Sequence, residues 1–211
     1  MMKALILSGI GCTHKIWDLA AKQLEDWELT VLDYPHEVTL KAESLDEISD
    51  WLTSAVSIEK YDCAIGHSMG GLVLLRAYHS RPGFPVILVE SNLRPAEPFF
   101  RSLLMPEHME VFGAQLLEDM RREFPYYTPT LRDSLQKEFD DTDLVLQAKA
   151  DIYGIYGDRG VRPGWIAGLN LPPEALTKMT LDFVSNSAHM PMLENPRELT
   201  GQIRRWMEER G

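Results

Sequence analysis

The residues best suited to covalent chemistry are Gly66-His67-Ser68-Met69-Gly70, a G-x-S-x-G pattern between an apolar run, Cys63-Ala64-Ile65, and an apolar amphipathic stretch. A serine held at so tight a turn adopts a strained backbone, and side chains two residues to either side would collide. Glycine at 66 and 70 removes those Cβ atoms and lets strand and helix approach. The Ser68 hydroxyl then stands at a helix N-terminus, where N–H groups and the helix dipole favour developing negative charge. That is the setting of a nucleophile.

A serine hydroxyl needs a base within hydrogen-bond reach. Of six histidines, His189 is placed for it, in Ser187-Ala188-His189-Met190-Pro191, after the last apolar run and before the last helix. In a parallel sheet that loop opens on the same edge as Ser68. His67 lies within the turn itself, and its side chain is expected to point away from the nucleophile's face. A carboxylate should hold the imidazole and stabilise its protonated form. Asp158, in Tyr156-Gly157-Asp158-Arg159-Gly160, is the expected acid, and Glu90, in Val89-Glu90-Ser91-Asn92, is the alternative. An oxyanion needs two preorganised N–H donors. Met69 follows the nucleophile, and Ile10 lies in the loop Ser8-Gly9-Ile10-Gly11-Cys12. Cys12 has no base or charge pointing to it and reads as small and structural.

The elements that must position these residues alternate. Ala4–Leu7, Leu29–Leu32, Cys63–Ile65, Pro85–Val89, Asp151–Tyr156 and Met179–Val184 read as strands. Helices are expected at Ile16–Leu24, Leu45–Ser57 and Gly70–Ser80, and from Asn195, a capping residue followed by Pro196 and Glu198. This alternation predicts an α/β architecture, a doubly wound, mostly parallel sheet of about six strands. Residues 1–92 and 150–211 form the core in this reading. Residues 93–149, helical and aromatic, form a cap insertion within the same domain, and Phe99, Phe100, Leu103, Leu104 and Phe112 are its candidate pocket residues.

With these residues in place, the sequence resembles the α/β-hydrolase family, in particular its short serine esterase-like members. The similar stretches are Leu5–Trp17, Tyr61–Gly71, Ile155–Asp158 and Ser187–Pro196. The resemblance implies an acyl-enzyme in which Ser68 attacks, His189 shuttles the proton and Asp158 orients it, in the family's chain order Ser, Asp, His. Three features depart from the pattern. The similarity starts at what would be the third strand, so the two leading strands are expected to be absent. Ser8-Gly9 replaces the usual His-Gly, and Asp158 follows Gly157 directly rather than after a longer turn.

Bulk properties narrow the classes. The chain has 211 residues, 45% hydrophobic and 25% charged, enough for one core without staples. A net charge of −11 argues against a phosphate-backbone partner and gives no attraction to an anionic membrane. Two cysteines make no disulfide framework or metal motif, and no metal or organic cofactor is implied. No apolar run approaches the roughly 20 residues of a membrane span, so a cytoplasmic protein acting on a small molecule is expected. The expected reaction is hydrolysis of a small or medium apolar carboxylic ester, thioester or lactone. The competing readings are carbon–carbon bond hydrolysis or lyase chemistry on the same residues, and a non-catalytic small-molecule binding protein. Arg94 or Arg101 as a substrate anchor would favour the carbon–carbon or lyase reading.

Overall fold

The structure, a computed structural model, describes residues 1–137, 139–162 and 164–210. Its centre is a six-stranded sheet of β1 (Lys3–Leu7), β2 (Glu28–Leu32), β3 (Cys63–His67), β4 (Pro85–Val89), β5 (Asp151–Gly157) and β6 (Met179–Val184). The order is β2-β1-β3-β4-β5-β6, and every neighbouring pair is parallel. All six strands expected from the sequence are present. All strand C-termini therefore open on one edge, and the central strands β3 and β4 are buried along their whole length.

Burial on both faces explains the near-continuous apolar composition of those strands. Leu5, Leu7, Ala64, Val86 and Leu88 point into one layer with α1 (Leu45–Ala55) and α2 (Met69–Tyr78). Ala4, Ile6, Ile65, Ile87 and Val89 point into the other with α3 (Pro196–Glu208). Asn195 caps α3, its Oδ1 accepting from the Glu198 N–H, with Pro196 at the first helical position. No described helix is long and apolar enough to cross a membrane.

Two local readings change. The helix expected over Ile16–Leu24 divides into a 3₁₀ turn, His14–Trp17, and one α-helical turn, Asp18–Ala21. Short-range bonds from Gln23 and Leu24 to Ala20 and Ala21 then close it. The strand expected to break at Gly66 continues through His67, because Gly66 pairs with Leu7 and Leu88, and His67 with Val89. The turn falls on Ser68 itself. Between β4 and β5 the chain runs through short helices, including a continuous stretch from Pro106 to Glu123 interrupted by a π turn at Met109–Gly113.

The glycines of the turn are fixed by contact. A Cβ on Gly66 would lie 2.4 Å from the Gly71 Cα, and one on Gly70 would lie 2.6 Å from the carbonyl oxygens of Leu7 and Ser8. Gly201, on the exposed side of α3, has nothing within 4 Å. Gly66→Ala is therefore expected to destabilise by at least the ~1–3 kcal/mol of an overpacked site. Gly201→Ala should instead stabilise, by up to ~1 kcal/mol. Urea unfolding midpoints of the two variants against wild type test this contrast.

Candidate active site

Ser68 has φ 52° and ψ −121°, a left-handed conformation rarely occupied by residues with a Cβ. It survives because the sheet ladder holds it: the Ser68 N–H donates to the Val89 carbonyl at 2.9 Å. One residue later α2 begins, and the Met69 N–H belongs to the first turn, whose donors have no acceptor inside the helix. Ile10 lies in the loop after β1, which is closed by the Cys12 N–H on the Gly9 carbonyl at 3.1 Å. Ser68, Met69, Ile10, His189 and Glu90 all line one cavity of about 580 Å³.

Glu90 occupies the same position on β4 that Ser68 occupies on β3. His67 and Val89 are register partners, and the next residue in each strand turns with φ 52°. The Glu90 carboxylate is fully buried. Its Oε2 lies 3.2 Å from His189 Nδ1, and its Oε1 accepts from the Gly157 N–H at 2.5 Å. Arg159 grips both oxygens, Nη1 donating to Oε1 at 2.9 Å and Nη2 to Oε2 at 2.7 Å. Burial is the largest influence on this carboxyl and pushes it up. The hydrogen bonds and charges of Arg159 and His189 together outweigh it and hold Glu90 at about 2.

Asp158 does not meet the histidine. Its Oδ1 accepts from the Gly160 and Asn186 N–H groups, both at 2.8 Å, and its Oδ2 is 3.8 Å from Arg162 Nε. The reason is the short turn. Asp158 follows Gly157 directly, and its own N–H is still bonded to β6, at the Val184 carbonyl. Its side chain is therefore spent pinning the turn to the start of the histidine loop. Of the two carboxylates considered from sequence, the structure brings Glu90 to His189.

The histidine loop carries two supports that the sequence reading missed. His67 does not point away from the site: its Nε2–H donates to the His189 carbonyl at 2.9 Å, and the two rings are 4.8 Å apart. Burial, with the nearby His189 adding to it, pushes His67 down to about 3, so it is neutral. The second support is the buried carboxylate of Glu194, whose Oε2 accepts from the N–H groups of Ala188 and Met190, on either side of His189. Its Oε1 accepts from the Met105 N–H at 2.7 Å and pairs with His108 Nδ1, which ties that loop to the helical segment. Glu194 was legible only as part of the Ser187–Pro196 pattern, and Arg159 only as a neighbour of Asp158.

Among the candidate pocket residues, Phe100 and Leu103 line the cavity. Phe99 instead stacks edge-on against Phe100 and Trp165, each at 5.0 Å. Leu104 is buried in the sheet core, and Phe112 packs against that same layer. Phe124, Leu135 and Phe139 complete the apolar wall, and Arg94, Arg101 and Arg132 also reach it. Arg94 is paired with Asp140 and also donates to the Asn170 carbonyl. Cys12 is buried, and burial pushes its thiol up to about 12, far from a thiolate. No group of three or more His, Cys, Asp or Glu among the described residues could hold a metal ion.

A strained serine at a strand-to-helix turn, opening with a histidine onto one cavity at the C-terminal edge of a parallel sheet, is the arrangement of a hydrolase. The chain belongs to the alpha/beta hydrolase family, which it matches over residues 4–202. Solved structures agree on the fold. An N-acyl homoserine lactone degrading enzyme superposes with a TM-score of 0.70 at 13% identity, covering 98% of this chain and 93% of its own. A carboxylesterase of the ammonia-oxidizing thaumarchaeon Nitrososphaera gargenis superposes with a TM-score of 0.65 at 14% identity, covering 99% and 90%. A curated protein of Archaeoglobus fulgidus, called an uncharacterized sugar kinase, is 31% identical over 166 residues, 76% of this chain. This chain spans only 31% of that protein's length.

The Glu90 environment sets an acid-stability signature. Its pKa is lower folded than unfolded, so the stabilisation is complete above the unfolded value near ~4.3 and is lost as pH falls toward about 2. Melting temperature should therefore fall more steeply between about pH 5 and pH 2 in wild type than in Glu90→Gln, which has no such proton to bind. Parallel slopes in the two proteins would contradict this.

Proposed function

We propose that the protein is a serine hydrolase that cleaves a small or medium carboxylic ester, thioester or lactone through an acyl-enzyme on Ser68, His189 and Glu90. The observation that carries this reading is the contact of the buried, ionised Glu90 with His189 Nδ1, at 3.2 Å, in a cavity that Ser68 also lines. With Nδ1 turned to Glu90, Nε2 is the ring atom left to accept the Ser68 proton. Ser68 Oγ attacks the acyl carbon, and His189 takes the proton and returns it to the leaving alcohol or thiol. A water then attacks the acyl carbon, losing a proton to His189, and His189 returns that proton to Ser68 Oγ as the acyl–Ser68 bond breaks and the carboxylic acid leaves. Met69 and Ile10 supply the N–H groups for the oxyanion.

Residues 93–149 act as the cap in this reading, and Phe100, Leu103 and Phe124 supply an apolar wall for the acyl group. Arg101 and Arg132 also line the cavity, together with Asp133, so a substrate screen should include half-esters of dicarboxylic acids beside neutral esters.

Ser68 in the wild-type protein should form a single adduct with a fluorophosphonate, read by intact mass, and Ser68→Ala should form none. On the first ester that is turned over, Glu90→Gln should lose roughly 10⁴-fold in kcat, the scale seen when a triad carboxylate becomes an amide. Asp158→Asn should stay within about tenfold. The reverse order of the two losses would return the acid to Asp158, and an unlabelled, folded wild type would reject the hydrolase mechanism.

A further inference from the structure

We infer that Arg159 is a positioning residue for the Glu90–His189 pair: its two-pronged ion pair keeps the buried carboxylate charged and aligned, and its charge sets the pH at which His189 becomes free to act as a base. The inference rests on the reading of Ser68, His189 and Glu90 above.

Arg159 is itself built in rigidly. It has φ 50°, and its N–H donates to the Ser187 carbonyl, two residues before His189. The side chain is only 4% exposed. Beyond the two bonds to Glu90, Nη1 donates to the Gly157 carbonyl at 2.8 Å and Nη2 to the Phe100 carbonyl at 3.2 Å. The guanidinium lies 4.7 Å from the Phe100 ring centroid, and its Nε is buried with no partner among the described residues. A buried ion pair is weak evidence for stability, because the desolvation of both ions offsets most of their attraction.

Charge explains it better. A fully buried carboxylate without a counter-ion takes up a proton, and a protonated Glu90 neither orients His189 nor stabilises its imidazolium. With Arg159 present, the resting unit of Glu90, Arg159 and neutral His189 has no net charge. Replacing Arg159 by a neutral side chain leaves one negative charge, so the pair binds a proton more tightly whichever of its members holds it. The form that can act, with Glu90 ionised and His189 neutral, then appears only at higher pH.

The other groups around the pair keep their own partners. The Tyr156 hydroxyl donates to the Ser91 carbonyl, His67 to the His189 carbonyl, and Asp158 faces two backbone N–H groups and Arg162. Glu194 is engaged with the loop backbone, Met105 and His108.

The test needs no known substrate. The rate at which a fluorophosphonate labels Ser68 is measured against pH for wild type, Arg159→Met and Arg159→Lys, each checked for folding by thermal melt. Wild type should label faster as pH rises, then level off. Arg159→Met should shift that rise upward by about one pH unit or more, labelling at least about tenfold slower below it and recovering at high pH. Arg159→Lys, which keeps the charge, should bring the rise back close to wild type. If Arg159→Met does not fold, Arg159→Gln takes its place, because its amide can still donate to Glu90. An unmoved rise with only a lower plateau, or the same displacement in the Lys and neutral variants, would overturn the inference. A folded wild type that does not label at any pH would instead remove the hydrolase reading on which it rests.

Discussion

A carboxylate with no exposed surface must find donors for both oxygens, and the ends of the parallel strands meet that demand at Glu90. β4 supplies the carboxylate, β5 the Gly157 N–H, the turn after β5 the Arg159 fork, and the loop after β6 the His189 ring. Each donor comes from a different point in the chain, so one buried charge fixes the relative positions of the strand exits. Were one donor removed, the others would face an under-satisfied charge in a medium where that is costly. The geometry of the cavity floor follows from satisfying this one group.

The histidine loop illustrates how the constraint spreads. The His189 ring is paired with Glu90 and lies against the His67 ring, but its loop backbone is held from three sides. His67 takes its carbonyl, Glu194 takes the N–H groups on either side, and Asp158 takes the Asn186 N–H at the start of the loop. A loop residue would ordinarily sample several conformations. Here its ring is aimed by main-chain bonds as much as by the carboxylate. Because Glu194 also binds Met105 and His108, the helical segment over the cavity is joined to the same loop. Cavity wall and histidine are therefore mechanically linked.

Much of the fold was legible because its signals are local. Short β-branched strands, the glycines around Ser68 and the Asn195-Pro196 helix start each state their own structure, and the parallel order follows from their alternation with helices. That Ser68 and His189 open on one edge was legible for the same reason. Which carboxylate lies against His189 was harder to read, because it depends on where a turn of two or three residues sends a side chain. Chain order pointed to Asp158, but in the short turn after Gly157 its side chain is bonded to the Gly160 and Asn186 N–H groups instead. The cavity wall was less legible still: aromatic content marks residues 93–149 as apolar, but only packing separates Phe100, on the cavity, from Leu104, in the sheet core. His67 was misread because an apolar-sided strand does not show that a loop from β6 lies over its end.

The pairing of Ser68 with Glu90 reflects the ladder more than the turn. Both follow residues that are partners in the β3–β4 register, and both have φ 52°. A non-glycine residue in such a conformation costs on the order of 1–3 kcal/mol and persists only where its surroundings overdetermine it. Those surroundings are visible here. The Ser68 N–H is bonded to the Val89 carbonyl and the Glu90 N–H to the Ile155 carbonyl, so each ladder runs one hydrogen bond past its strand before the chain reverses. The sheet thus holds two strained residues side by side at its open edge, one carrying a hydroxyl and the other a carboxylate. His189 is the group from a third strand end that lies against that carboxylate in the cavity that the hydroxyl shares, and the parallel topology is what brings all three to one edge.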